Sequence, residues 1–187
     1  MSASVLPRMT ADEFIPWALA QPEGTHFELV HGQVVGMAPE RLGHVRGKQL
    51  MFRLLADAIA AAGISCEALV DGVAVQVDDA TVYEPDALVR CGAPLPDDTL
   101  RITDPLILVE VLSPSSRSRD ASLKLADYFR IPSLRHYLIV ATDIRTVIHH
   151  HRDDLGAILT RIVRDGSLFL DPPGIALEGI FAAGDSR

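Results

Sequence analysis

Residues 106–112 read LILVEVL, and this run predicts the central strand of the protein's sheet. It is apolar at both alternating sets of positions, which is typical of a strand covered by other elements on both faces. Glu110 is the single charged residue in the run. A buried, ionised carboxylate is costly unless a cation or hydrogen-bond donors compensate it. Glu110 therefore indicates either a functional site or a structural ion pair, and the strand alone leaves both open.

Patterns on either side of this strand predict the remaining elements. Thr10 and Glu13 have the spacing of a capping box at the start of a short helix. Gly63 suits the end of a long amphipathic helix that begins at His44. The other expected elements are a hairpin at 27–37, strands at 65–70 and 73–77 joined as a second hairpin through Asp71-Gly72, a strand at 87–89, a loop at 92–105, a helix at 117–129, strands at 135–141, 146–151 and 157–163, and a final helical turn at 177–182.

Composition predicts an ordinary globular domain. The chain has 187 residues, of which 48% are hydrophobic and 22% charged. The net charge of -8 repels polyanions, so any contact with nucleic acid must be local. Cys66 and Cys91 form no CxxC motif, which leads us to expect free thiols in a cytoplasmic protein. No stretch has the composition of a leader or a membrane span.

Asp86 is the second acidic residue of interest, because it follows Pro85 and precedes a short apolar strand. Neighbouring strands can bring Asp86 beside Glu110. Two carboxylates are the type of ligand that Mg²⁺ or Mn²⁺ binds. The alternative is a simple turn residue, since Asp after Pro also favours turns.

Lys124 lies on the predicted helix that follows the central strand, four residues after Asp120 and four before Tyr128. The three side chains therefore share one side of the helix. One interpretation is an exposed Asp–Lys pair of little energetic value. The other is an ammonium that stabilises negative charge developing on a phosphate.

The order of these motifs resembles the Uma family of endonucleases, within the PD-(D/E)XK restriction-endonuclease-like superfamily. The residues that carry the resemblance are PD at 85–86, VEVLSPSS at 109–116, Asp120, Lys124 and Tyr128, with FELVHGQVV at 27–35, His44 and HYLIV at 136–140. The resemblance implies an α/β (α+β) fold, a restriction-endonuclease-like core with a mixed sheet flanked by helices, an N-terminal helix and a β-hairpin. It also implies one domain over 1–187, with its core at about 10–182.

The resemblance also implies roles for individual residues. Asp86 and Glu110 would bind Mg²⁺ or Mn²⁺, and Lys124 would supply the catalytic ammonium. The superfamily motif places that lysine two residues after the glutamate, where this chain has Leu112, so Lys124 is the candidate for a migrated lysine. Glu28 matches a family glutamate that orients a ligand or water, although a pairing across the hairpin is the alternative. The expected supporting residues are Asp120, Tyr128, His44, Arg46 and Arg117.

Two local clusters of basic residues could hold phosphates despite the acidic total. Residues 41–53 contain four basic side chains and no acid, and residues 117–124 contain three against one acid. An ordinary solvated surface is the simpler interpretation of both. The leading hypothesis is a homodimeric, metal-dependent endonuclease that hydrolyses DNA phosphodiester bonds. The alternatives are an inactive nuclease-fold binding module and a metal-dependent hydrolase of a small phosphorylated substrate.

A run of three histidines, at 149–151, interrupts a predicted strand. Alternation places His149 and His151 on one face of the strand and His150 on the other. We expect no metal site there, because no acidic or cysteine partner is spaced to complete it.

Overall fold

The computed structural model describes residues 8–112, 119–164 and 167–181, and the side chains of α3 from Leu123 onward. The helices in these residues are α1 (Ala11–Leu19), α2 (Leu42–Ala62) and α3 (Arg119–Tyr128). The strands are β1 (Phe27–Val30), β2 (Gln33–Gly36), β3 (Cys66–Val70), β4 (Ala74–Asp78), β5 (Thr81–Tyr83), β6 (Ala87–Cys91), β7 (Arg101–Ile102), β8 (Ile107–Leu112), β9 (His136–Ala141), β10 (Thr146–Arg152), β11 (Ile158–Val163), β12 (Leu168–Leu170) and β13 (Ile175–Leu177). None of these helices has the length and hydropathy that spanning a bilayer requires.

The predicted α/β fold with mixed strand pairing and flanking helices is confirmed, and the strands are divided between two main sheets. A six-stranded sheet has the order β11-β10-β9-β8-β6-β3, and a five-stranded sheet has the order β2-β1-β5-β4-β7. Strand β8 lies inside the larger sheet, parallel to β9 and antiparallel to β6. The predicted central strand is therefore confirmed.

Alternate side chains of β8 enter two different hydrophobic cores. Val109 and Val111 pack into the core that includes one face of α2. Leu108 packs into the second core, which includes Tyr128 at the end of α3. Because side chains alternate along a strand, Glu110 lies on the same face as Leu108, towards α3.

Local sequence signals predicted three further features correctly. The capping box of Thr10 and Glu13 opens α1. The hairpin β1–β2 turns at His31 and Gly32, which both have positive φ, of 48° and 82°. Helix α2 ends at Gly63, which has a left-handed conformation.

Three predicted elements are wrong. The Asp71-Gly72 turn does not join a hairpin, since β3 pairs with β6 and β4 with β5 and β7, so the chain passes there from one sheet to the other. The loop expected at 92–105 contains β7, whose Ile102 is buried. The final helical turn expected at 177–182 does not form in the described part of this segment, which ends at residue 181. Leu177 instead ends β13, because alternate residues of β12 and β13 pack into the α2 core.

The expectation of free thiols is also wrong. Cys66 on β3 lies directly opposite Cys91 on β6, and the two form a disulfide. Their distance along the chain carried no information about this register. The disulfide ties the edge strand β3 to its neighbour, and both cysteines pack against the α2 core.

Histidines of β9 and β10 form a buried stack. The Nε2 atom of His136 donates to the carbonyl of Pro172 at 2.8 Å, so its Nδ1 accepts from Nε2 of His149 at 2.9 Å. His151 stacks on His149, whereas His150 lies on the opposite face against Tyr137, as the alternation predicted. Burial lowers the pKa of His136 to about 4 and that of His149 to about 3.

Helix α2 approaches β8 closely at Gly47. A Cβ atom at this position would lie 2.8 Å from Cγ1 of Val111 and 3.3 Å from Cγ2 of Thr142. We expect Gly47→Ala to lower the free energy of unfolding by about 1–3 kcal/mol, measured by urea denaturation, because the helix must move away from the sheet. Gly43→Ala in the same helix is the matched control, since nothing lies within 4 Å of its Cβ. Equal stability of the two variants would contradict the close approach.

The histidine stack predicts a loss of stability in acid. The pKa values of His136 and His149 lie below the unfolded value, so the unfolded state binds more protons as the pH falls through about 6.5. We expect the free energy of unfolding to fall by about 2 kcal/mol per histidine between about pH 7.5 and about pH 5. His149→Leu should reduce this pH dependence, whereas His26→Gln, at an exposed histidine, should keep it. An unchanged dependence in His149→Leu would contradict the assignment.

Candidate active site

Glu110 is held by two donors from α3. Its Oε1 atom accepts from Nζ of Lys124 at 3.0 Å and from the hydroxyl of Tyr128 at 2.7 Å. Burial raises the pKa of Glu110 to about 7, against the opposing effect of the Lys124 ammonium. Burial also raises the pKa of Tyr128 well above its usual range, so the hydroxyl stays protonated and donates. The carboxylate in the central strand thus has the partners that its burial demands.

Lys124 is buried between two carboxylates. Its Nζ atom donates to Oε1 of Glu28 at 2.8 Å as well as to Glu110, and it lies 5.1 Å from the centre of the Tyr83 ring. Burial acts to lower the pKa of Lys124, but Glu110 and Glu28 outweigh it and raise that pKa above its ordinary value. With 8% exposure, Lys124 is not the exposed helix lysine of the simpler interpretation.

Glu28 reaches Lys124 from the other sheet. On β1 its cross-strand neighbour in the hairpin is Val35, so the alternative of a charge pair across the hairpin does not occur. Its Oε1 atom also accepts from the backbone N–H of Glu84 at 3.1 Å. Glu28 therefore connects the five-stranded sheet to α3 and, through Lys124, to Glu110.

Asp86 lies beside the same strand as Glu110. Its Oδ2 atom accepts from the backbone N–H of Val111 at 2.5 Å, and its Oδ1 atom contacts Nε2 of His44 at 3.1 Å. The side chain is buried and bridges β6, β8 and α2, which a simple turn residue would not do. Strand pairing thus brings Asp86 next to the Glu110 cluster, as the sequence predicted.

His44 adds a second cluster around Asp86. One ligand atom each from Glu40, His44 and Asp86 lie within 4.8 Å of one another, a spacing that suits a metal ion. The hydrogen bond to Asp86 raises the pKa of His44, and its buried Nδ1 has no hydrogen-bond partner among the described residues. The sequence patterns did not identify Glu40 as a site residue. Its position four residues before His44, at the start of a helix, was the available signal.

One cavity of about 450 Å³ joins the two clusters. The titratable side chains that line it are those of Glu28, Glu40, Arg41, His44, Tyr83, Glu84, Asp86, Glu110, Lys124 and Tyr137. Acids from both sheets and from the start of α2 therefore face one space. Such a cavity suits a cationic ligand together with an anionic group that the cation holds.

The other expected site residues fall into three groups. Tyr128 contacts Glu110, as described. Arg46 is exposed on α2 and does not line this cavity. Arg117 and the side chain of Asp120 lie outside the described residues, as do residues 113–116.

The predicted basic cluster at 41–53 is only partly available to a ligand. Lys48 is buried, and its ammonium binds Glu40 at 2.6 Å and Asp71 at 2.5 Å. Arg41, Arg46 and Arg53 are exposed, and Arg41 lines the cavity. The surface that remains for phosphate contacts is therefore three arginines rather than four basic side chains.

Comparisons with known proteins agree with this architecture. Residues 11–180 match Uma2, a family described as "Putative restriction endonuclease". A protein of Synechocystis sp., described as uncharacterized, is 29% identical over 150 residues, which are 79% of this chain and 77% of that protein. A crystal structure from Anabaena variabilis, described as a putative nuclease belonging to DUF820, covers 87% of this chain and 88% of its own at a TM-score of 0.65 and 15% identity. The chain has the fold of this crystal structure, and it belongs to the Uma2 family.

Proposed function

We propose that this protein is a metal-dependent endonuclease that hydrolyses phosphodiester bonds of DNA and acts as a homodimer. One observation carries the proposal: Asp86, Glu110, Glu28 and Lys124 line a single cavity although they come from two sheets and a helix. A purely structural ion pair needs two partners, whereas Lys124 contacts two carboxylates, Glu28 and Glu110, and Asp86 lines the same space. The family description supports the nuclease reaction.

The residues of the cavity fit a divalent cation. Asp86 and Glu110 would hold it, with Glu40 and His44 as further donors on the α2 side. Carboxylate oxygens suit Mg²⁺ and Mn²⁺, and an imidazole nitrogen is more compatible with Mn²⁺. Five acids line this space, Glu28, Glu40, Glu84, Asp86 and Glu110, against the two cations Arg41 and Lys124, so a bound metal ion would offset the excess of negative charge. When bound, the cation would generate a nucleophile from water and neutralise charge on the phosphate.

The protein side chains would each perform a separate task. The Lys124 ammonium would stabilise the charge that develops on the phosphate oxygens. Glu28 fixes Lys124 from one side, and the Tyr83 ring covers it. Tyr128 fixes the orientation of Glu110 through its hydroxyl. Arg41 at the cavity would contact the neighbouring backbone phosphate.

An inactive binding module is the second candidate, and the Glu110–Lys124 pair is the observation that favours it. In such a module an internal cation satisfies Glu110 and no metal is required. The expectation that Lys124 points to solvent in such a module is not met, because Lys124 is itself the buried cation beside Glu110 and lies at the cavity. Metal binding and cleavage distinguish the two candidates.

Cleavage of supercoiled plasmid tests the reaction. We expect cutting with Mg²⁺ or Mn²⁺ and none with chelator. Glu110→Gln and Lys124→Met should each reduce the rate at least about a hundredfold, because each removes a charge from the cavity and changes little volume. Glu67→Gln is the matched control, since this exposed acid lies on the edge strand β3. Cutting that survives chelation, or that Glu110→Gln retains, would contradict the proposal.

Calorimetric titration with Mn²⁺ tests the metal site without relying on activity. We expect Asp86→Asn to weaken binding most, because Asp86 belongs to the Glu40–His44–Asp86 group and also lines the same cavity as Glu110. His44→Gln should weaken it about tenfold through the loss of one donor. His26→Gln, at a histidine outside the cavity, should bind as the unaltered protein does. An absence of Mn²⁺ binding together with an absence of cutting would favour the inactive module.

A further inference from the structure

Strand β11 forms one edge of the six-stranded sheet and is exposed on both faces. Among the described residues it pairs on one side only, with β10. Three of its large apolar side chains are open to solvent: Ile158 is 40%, Leu159 46% and Ile162 65% exposed. Ile158 and Ile162 lie on one face of the sheet and Leu159 on the other. No helix covers either face of this strand in the part of the chain that the structure describes.

The other sheet edges are protected in ways that β11 is not. Strand β7 has two residues and β2 has four, so both are short. Strand β3 is tied to its neighbour by the Cys66–Cys91 disulfide. Strand β11 has six residues, no proline and no disulfide, a single exposed charge at Arg161, and a regular register against β10. Edges of this kind present unpaired N–H and C=O groups that pair readily with another strand.

We propose that β11 pairs antiparallel with β11 of a second copy across a two-fold axis, so that two six-stranded sheets become continuous. When this two-fold axis is perpendicular to the sheet, each face of one sheet continues into the same face of the partner's sheet. Residues that lie opposite each other must therefore belong to the same face. With the axis at Thr160, Ile158 lies opposite the partner's Ile162, and the pair occurs twice.

The single charge of the strand, on Arg161, and its two isoleucines select this register. With the axis at Thr160, Arg161 lies opposite the partner's Leu159, and the aliphatic part of the arginine covers the leucine. An axis at Arg161 places two guanidinium groups directly opposite each other, which destabilises the pair. An axis at Leu159 places Ile162 opposite the partner's Gly156 and loses the isoleucine contacts. The register at Thr160 is therefore the self-complementary one.

The proposed interface is separate from the candidate active site. None of the residues that line the 450 Å³ cavity belongs to β10 or β11. Both cavities of a dimer therefore remain open, which suits an enzyme that cuts two strands of a duplex. The interface rests on the homodimer of the proposed function but requires no nuclease activity. A monomeric chain would therefore remove the dimer and leave the proposed nuclease reaction to be judged by plasmid cleavage.

Sedimentation velocity of the full chain at micromolar concentrations tests the interface. We expect a dimer, and Ile158→Asp or Ile162→Lys alone should raise its Kd at least about tenfold, since each buries an unpaired charge. The double variant I158D/I162K should restore the dimer, because every new carboxylate then lies opposite a new ammonium of the partner. Leu19→Lys on α1 is the matched control, with the same 65% exposure as Ile162, and it should remain dimeric.

Several results would overturn the proposal. They include an unaltered chain that is monomeric at these concentrations and a dimer that persists in both single variants. A double variant that stays monomeric, with the circular dichroism of the unaltered chain, would exclude the register at Thr160. Dimerisation only of a chain that is truncated after residue 181 would also contradict the proposal. It would mean that residues 182–187 of the same chain occupy the edge of β11.

Discussion

The pairing of Glu110 with Lys124 is the interaction on which the site depends. The central strand must be apolar to pack on both faces, so a carboxylate within it requires a buried cation. Lys124 meets this requirement only if α3 lies across the sheet at the level of β8. That placement also brings Tyr128 to Glu110 and leaves the ammonium within reach of Glu28 on the other sheet. One electrostatic requirement thus connects two sheets and a helix at a single point.

Asp86 connects this cluster to α2. Its two oxygens bind different elements, since one accepts from the backbone of Val111 and the other contacts His44. The close approach at Gly47 sets the distance of α2 from β8, and His44 lies one turn earlier on the same helix. The position of a nitrogen donor beside Asp86 therefore follows from backbone packing.

The distribution of charge explains how an acidic protein can present a surface to an anion. Lys48, the one buried base of α2, is committed to Glu40 and Asp71. Arg41, directly before α2, is the exposed arginine that lines the cavity, whereas Arg46 and Arg53 of α2 do not, and the acids face inward where a cation would offset them. Charge of both signs is thus concentrated at one place, and the net charge of the chain says little about it.

The sequence by itself determined the local features: the capping box, the hairpin at His31-Gly32, the end of α2 at Gly63, and the central strand with Glu110 as its exception. These depend on neighbours within a few residues. The residue patterns also indicated Asp86 and Lys124, and the family resemblance added Glu28 and implied that the three act together with Glu110. Only the tertiary structure decided that Cys66 meets Cys91, that the chain changes sheets at Asp71-Gly72, that residues 175–177 form a strand, and that Glu40 joins His44 and Asp86. The physical reason is that each of these features depends on strand register or helix position, which contacts between residues distant in the chain establish.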